Sequence, residues 1–273
     1  MAMTASERLS TMLNEAGTAI MISLGHRTGL FDAMEHLPPS AAAGIAAKAN
    51  LAERYVREWL DALTVGGIID CRASSEGNLY SIKPDYAEHL CRSKRAANVA
   101  GFMQYAGLMG AVEDDIAACF RSGEGLPYER YKRIYDILDD ESGHALQDVL
   151  ISGIIPSLPL LDKRLQNGIE VLDLGCGSGR ILLALAERYP SSRFTGYDIG
   201  DTAVACATQR AQEAGLANIR FEVRDISAFD AEDSFDLITA FDSVHDSPNP
   251  ERLFAAIRKA LSPEGVFLLQ EVA

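Results

Sequence analysis

At 273 residues the chain has room for about two domains, and 48% hydrophobic against 23% charged residues mark a globular protein able to bury a sizeable core. A formal net charge of -14 disfavours nonspecific attachment to nucleic acid or to an anionic membrane and leaves a small-molecule ligand open. The cysteines, at positions 71, 91, 119, 176 and 206, have neither the spacing of a disulfide framework nor that of a metal site, so a reducing, cytoplasmic setting without bound metal is expected.

Leu9, Met12, Leu13, Ala16, Ile20, Leu24, Leu30 and Phe31 recur at helical spacing through residues 5–36, with breaks near Gly25 and Gly29. The stripe is longer than a small domain can cover, and a homodimer is the expected way to bury it. After Pro38-Pro39, Ser40 is placed to cap a short alanine-rich helix, Asn50 to make a turn, and residues 52–65 to form a longer helix stopped at Gly66-Gly67. Residues 68–71 and 79–82 then read as two strands around a Ser-Ser-Glu-Gly-Asn loop, completing a winged helix-turn-helix within residues 1–95. Such a unit either reads DNA or serves an enzyme as a dimerisation and lid domain. The would-be recognition helix carries Glu53, Arg54, Arg57, Glu58 and Asp61, a mixed face where a DNA reader needs a basic one, while Trp59 and Leu60 suit a core.

Residues 96–165 read as a helical linker. Its long apolar region, 145–161, is interrupted by Asp148, Pro156 and Pro159, and the N-terminus lacks a signal-peptide pattern, so no membrane span is expected. Beyond it, Val171, Leu172 and Leu174 suit a buried parallel strand. Gly175, Gly177 and Gly179 follow as a turn that takes positive φ freely and admits a ligand where a Cβ would collide, and Ile181, Leu182, Leu185 and Ala186 continue at helical spacing. Strand, glycine turn and helix in this order are the parts of a nucleotide site. A second strand, 193–198, ends on Asp198 about 20 residues after the loop, where a carboxylate accepts hydrogen bonds from both ribose hydroxyls. A third, 219–223, leads to Asp225, which either accepts from an exocyclic adenine amine or caps the strand end, and to Ile226, which can pack on the ring.

A dinucleotide fold uses G-x-G-x-x-G to rest a pyrophosphate on the helix N-terminus, whereas this loop is G-x-G-x-G followed by Arg180 and preceded by Asp173, an acid that repels phosphate and favours a cation. S-adenosylmethionine, with a ribose, an adenine, an ammonium and a sulfonium but no phosphate, fits that charge pattern better than a nicotinamide dinucleotide. From residue 166 onward the sequence resembles the class I S-adenosylmethionine-dependent methyltransferases. The resemblance lies in Asp173-Leu-Gly-Cys-Gly-Ser-Gly179, Tyr197-Asp198, Asp225-Ile226, the strand Phe235-Asp-Leu-Ile-Thr-Ala-Phe241 and the turn Leu261-Ser-Pro-Glu-Gly265. It implies an α/β Rossmann-like domain over 166–273 that binds S-adenosyl-L-methionine through Asp173, Gly175, Gly177, Gly179, Asp198, Ile199, Asp225, Ile226 and Phe241.

With the winged helix in front, the order of elements is similar to that of plant-type small-molecule O-methyltransferases and a related bacterial group. That resemblance implies methyl transfer to a small-molecule acceptor at a hydroxyl, with 96–165 as the roof of the pocket and Met103, Tyr105 and Tyr128 lining it. It implies His245, in Val244-His-Asp246 after the fourth strand, as the base for the acceptor's proton, and Glu271 as the carboxylate that orients it. As residues alone, His245 at a strand end has capping of backbone groups as its other reading, behind that of a base, and Met or aromatic residues at helical spacing, as at the three pocket candidates, are more often core than pocket. A regulator that senses the cofactor and contacts DNA through the winged helix is the alternative, and a nicotinamide-dependent oxidoreductase a further one. Class I sheets order seven strands 3-2-1-4-5-7-6, and the sequence reaches Ala273 just after the fifth. The expectation is therefore a C-terminally incomplete sheet, in a fragment or truncated product with an uncovered apolar edge.

Overall fold

The computed structural model describes residues 3–75, 77–138, 147, 149–232 and 234–271. Glu76 of the wing loop and Ala145 and Asp148 of the long apolar region lie outside the described residues. The chain divides into two units, 1–137 and 138–273.

The N-terminal unit opens with α1 (Ala5–Thr28), started by a capping box in which the Thr4 hydroxyl accepts from the Glu7 amide and the Glu7 carboxylate accepts from the Thr4 amide. The helix runs unbroken through Gly25 and stops at Gly29, where φ is 72°. The break expected at Gly25 is absent because this glycine answers a packing need: a Cβ there would lie 2.4 Å from Trp59 Cζ2 and 2.7 Å from Phe31 Cε2. Those two rings meet edge to face with centroids 5.1 Å apart, and the indole N–H donates to the Met21 carbonyl at 2.7 Å. Helices α2 (Leu30–Glu35), α3 (Ala42–Ala49) and α4 (Glu53–Val65) follow. They enclose a core that includes Phe31, Ile45, Val56, Leu60 and Leu63.

Ser40 does not cap α3. The cap residue is Ala41, while the Ser40 hydroxyl donates to the Pro38 carbonyl and its backbone pairs both ways with Tyr80, at 3.0 and 2.8 Å. The segment before the helix is therefore stitched to the wing, whose strands β1 (Ile69–Ser74) and β2 (Gly77–Ile82) pair antiparallel from Ile69 with Ile82 to Ser74 with Gly77. The ladder runs past the expected ends because backbone pairing continues where side chains no longer touch the core. Helices α5 (Pro84–Leu90), α6 (Gln104–Ala111) and α7 (Glu113–Ser122) complete the elements of this unit used below. Along α1, Leu9, Met12, Leu13 and Ile20 are exposed.

In the C-terminal unit α8 (Pro159–Asn167) precedes β3 (Glu170–Leu174), α9 (Arg180–Arg188), β4 (Arg193–Asp198), α10 (Asp201–Glu213), β5 (Ile219–Val223), β6 (Phe235–Phe241), α11 (Pro250–Ala260) and β7 (Leu261–Gln270). All five strands are parallel, in the order β5-β4-β3-β6-β7. Successive residues of β3 feed opposite faces: Val171 joins a cluster with Leu182, Leu185 and Phe194, and Leu172 and Leu174 join one with Tyr197, Ile238 and Leu253. The centre of the sheet is thus buried on both sides while β5 and β7 are only partly covered, and the strand order reverses between β3 and β6, which opens a ligand crevice at their carboxyl ends. The register of β7 jumps from Phe235 with Leu261 to Leu237 with Val266, so residues 262–265 loop out as the expected turn. Among the described residues β7 is bonded to β6 alone, and no helix is long and apolar enough to cross a membrane.

Gly25→Ala should destabilise the N-terminal unit by about 1–3 kcal/mol, since the added methyl must displace two packed rings. Trp59 is the chain's one tryptophan, so its fluorescence during urea unfolding reads that unit; an unchanged midpoint would contradict the packing role.

Candidate functional site

At the carboxyl ends of β3 and β4 the glycine loop turns its amides inward. Gly175 N and Cys176 N donate to the Tyr197 carbonyl at 2.8 and 3.0 Å, and Gly177 N donates to Asp198 Oδ2 at 2.8 Å. A diphosphate is held by such amides when they are free to point at it, so this loop does not form an anion cradle. Gly175, Gly177 and Gly179 have φ of 74°, 52° and 78°, which suits glycine at each. Their surroundings differ. A Cβ on Gly175 would lie 2.4 Å from the Ser243 Cβ, and one on Gly179 would lie 2.6 Å from the Phe221 ring and 2.8 Å from the Ala207 Cβ. These two glycines permit close packing within the protein, which corrects the expectation that a Cβ at Gly175 would occupy ligand space. Only Gly177 of the three has nothing within 4 Å of its would-be Cβ.

Asp198, at the end of β4, is buried, and its Oδ1 accepts from Gly200 N at 2.8 Å while Oδ2 holds the loop. Burial raises its pKa, with the amides of Gly200, Gly177 and Ile199 opposing. A carboxylate has about four acceptor positions, more than these amides occupy, which leaves capacity for a further hydroxyl donor. Beside it Ile199 is 56% exposed, an apolar surface at the crevice. Asp225 is exposed and accepts from Ser227 N at 2.8 Å, which gives it the capping role and leaves acceptor positions over; Ile226 next to it is half-buried.

Arg224 was not singled out from the sequence. Its amide donates to the Asp198 carbonyl at 2.8 Å, and its guanidinium lies 4.7 Å from the centre of the Tyr197 ring and donates to the Tyr197 hydroxyl at 3.1 Å, pinning the ends of β4 and β5 together. An arginine directly after a strand is too common a pattern to have marked it.

Below the loop, Asp173 is buried and its Oδ1 accepts from Thr239 Oγ1 at 2.6 Å. Burial pushes its pKa up to about 7, with the Thr239 hydrogen bond opposing and the nearby Asp198 charge adding. Near neutral pH this carboxyl is part protonated, and a cation bound in the crevice draws it toward its charged form.

The end of β6 brings the remaining groups together. After half-buried Phe241 the chain turns at Asp242 into a short helical turn, Val244–Asp246. Glu271, just beyond β7, accepts from Val244 N at 2.7 Å and Ser243 N at 3.3 Å through Oε1, and its Oε2 is hydrogen-bonded to His245 Nδ1. The Glu271 bond raises the His245 pKa above 6.5, burial opposing and the charges of Asp246, Glu271 and Asp242 adding. For Glu271 burial pushes the pKa up, yet the His245 bond and the two amides outweigh it and hold the carboxyl below the usual range. A charged carboxylate on Nδ1 selects the tautomer with its proton there and leaves Nε2, which lies 3.7 Å from Asp246 Oδ1, without one.

Met103, Tyr105 and Tyr128 belong to the N-terminal unit. Met103 packs against that unit's core, Tyr105 is half-buried on α6, and the Tyr128 ring stacks on Tyr135 with centroids 6.0 Å apart.

Residues 165–273 match the family described as Methyltransferase domain, and residues 16–92 match the Rv2258c-like winged HTH domain. The chain carries a methyltransferase domain behind a winged helix. The trans-aconitate 2-methyltransferase of Variovorax paradoxus is 30% identical over 138 residues, 50% of this chain and 48% of that protein. The chain spans about half the length of the curated relatives it matches. Among solved structures, a candidate O-methyltransferase of Nostoc punctiforme superposes with a TM-score of 0.71 at 18% identity, covering 98% of this chain and 80% of that one. Human N-acetylserotonin methyltransferase, solved with S-adenosylmethionine, gives 0.64 at 19% identity with the same coverage of 98% and 80%. At these identities the likeness is one of fold: a class I methyltransferase sheet with an N-terminal winged helix.

The glycines can be told apart by stability. An alanine in a left-handed conformation costs about 1–2 kcal/mol, and at Gly175 the collision with Ser243 should add about 1–3 kcal/mol. Gly175→Ala should therefore lower the thermal midpoint clearly more than Gly177→Ala; equal shifts would mean that Ser243 yields freely.

Proposed function

We propose that this chain transfers the methyl group of S-adenosyl-L-methionine to a hydroxyl of a small molecule, with His245 as the base. The observation that carries the reading is the His245–Glu271 pair, set at the same sheet edge as a nucleoside site whose loop amides are unavailable to phosphate. When bound, S-adenosylmethionine supplies a methyl group made electrophilic by a cationic sulfur. Asp198 receives the ribose hydroxyls, Ile199 and Ile226 flank the adenine, Asp225 accepts from its amine, Phe241 borders it at the end of β6, and Asp173 favours a cationic ligand. Gly177 gives the ligand its close approach. His245 Nε2 takes the acceptor's proton, and Glu271 stabilises the imidazolium that results.

The base decides between acceptor classes. A carboxylate acceptor is already deprotonated at neutral pH and makes a base redundant, whereas a hydroxyl needs one, so the pair favours a hydroxyl even though the curated relatives act on trans-aconitate. On α4, Arg57 pairs with Glu53, and Asp61 accepts from the Tyr80 hydroxyl, which leaves no basic face of the kind DNA binding requires. The exposed apolar row of α1, with Leu9 at 66% and Leu13 at 75%, supports a homodimer. The five unpaired cysteines support a reducing cytoplasm.

Calorimetry should show S-adenosylhomocysteine binding and no NAD binding. Asp198→Ala should weaken S-adenosylhomocysteine by about 1.5–3 kcal/mol, the worth of charge-assisted hydrogen bonds; wild-type affinity in that variant would remove the ribose assignment. In turnover, His245→Ala should lose about 100-fold or more with cofactor affinity nearly intact. Because the base must be neutral, activity should rise with pH through a midpoint above 6.5, the direction in which Glu271 moves the imidazole. A His245→Ala protein with full turnover and an unchanged pH profile would leave methyl transfer to positioning alone. Light scattering at micromolar concentration should return the dimer mass, and a monomer would count against the role given to α1.

A further inference from the structure

Asp242 follows β6 with φ of 48°, one of three non-glycine residues at positive φ among those described; of the others, Asn50 ends a helix and Arg133 lies in the N-terminal unit. Asp242 alone stands at the site. Its conformation is fixed from several sides. Its amide donates to the Gln270 carbonyl at 2.9 Å and its Oδ1 accepts from Gln270 Nε2 at 3.2 Å, both on the residue just before Glu271. The next residue, Ser243, donates through its hydroxyl to the Leu174 carbonyl at 2.7 Å and rests against Gly175.

The turn has a directional effect. In an extended strand successive amides point to opposite sides; the left-handed Asp242 swings the chain out of the β6 direction, and Ser243, at φ -135° and ψ -22°, then turns its own amide and that of Val244 to one side. Here those of Ser243 and Val244 both reach Glu271 Oε1, at 3.3 and 2.7 Å. With Oε1 held twice, Oε2 is left on His245 Nδ1. We propose that Asp242 is a positioning residue for His245: its left-handed backbone aims the two amides that grip Glu271, and Glu271 sets the imidazole. The kinetic side of this inference rests on His245 being the base, while the structural side stands without it.

The test separates the backbone from the charge. The ionisable groups facing His245 are Glu271, Asp246 and Asp242 itself. Asp242→Asn, Asp242→Gly and Asp242→Val all remove the Asp242 carboxylate, but asparagine and glycine enter the left-handed region readily and valine does not. The His245 midpoint is followed by NMR in the full chain, alongside turnover and S-adenosylhomocysteine affinity. The asparagine and glycine variants should share a midpoint a little below the wild type's, the mark of a lost charge. The valine variant should fall lower by about half a unit or more, with turnover down about tenfold against those two and S-adenosylhomocysteine affinity retained. If valine does not fold, Asp242→Ala, a smaller burden on the same backbone, takes its place. A common midpoint for the three variants would overturn the proposal, as would a left-handed-intolerant variant with the turnover of the other two. If the wild type transfers no methyl group, the proposed function falls, and the titrations still decide the role of Asp242.

Discussion

The donation of the loop amides at 175, 176 and 177 to the Tyr197 carbonyl and the Asp198 carboxylate is the constraint on which the site depends. It ties the turn after β3 to the end of β4, so the loop cannot move without the acid that faces the crevice. It also spends the donors that would otherwise bind an anion, and it does so before any ligand arrives. A ligand that enters must bring donors for Asp198 in place of phosphates for the loop. The same tie holds Gly175 against Ser243, and Ser243 leads directly into the amides that hold Glu271. Two parts of the crevice, the Asp198 carboxylate with its loop and the His245–Glu271 pair, are thereby fixed to one another through Gly175, Ser243 and Glu271 in contact.

What the sequence discloses about this region follows from the local character of its signals. The alternation of Val171, Leu172 and Leu174 about Asp173, and the glycines that follow, required a buried parallel strand and a positive-φ turn wherever the rest of the chain went. The strand-end positions of Asp198, Asp225 and His245 are legible because each closes or follows a short apolar run, and a strand end in an open parallel sheet is where ligands meet side chains. The separate reasons for the glycines were not legible. Gly175 meets Ser243, 68 positions away in sequence by subtraction of the two residue numbers, and only the completed sheet brings them together. Asp242 was missed for the same reason, since nothing in a single aspartate after a strand announces a left-handed backbone.

In the N-terminal unit the misread positions share a cause. Gly25 reads as a breaker and Ser40 as a cap on intrinsic preference, and in each case a distant partner decides: Trp59 and Phe31 for Gly25, Tyr80 for Ser40. Propensity is a weak prior where tertiary packing is dense. The long helix α1 illustrates the reverse, since its capping box at Thr4 and its glycine stop at Gly29 are both local devices and the helix obeys both.

Asp173 carries a consequence for the energetics of the crevice. Its carboxyl, with a pKa pushed up to about 7, holds a proton in a sizeable fraction of molecules at neutral pH. A cationic ligand arriving above it favours the ionised form, so occupancy of the crevice expels protons into the buffer. Measured heats of binding would then vary with the ionisation enthalpy of the buffer, and affinity for a cation would strengthen as pH rises through neutrality. A neutral ligand of the same shape would show neither effect, so the buffer dependence of binding would report the charge of the ligand.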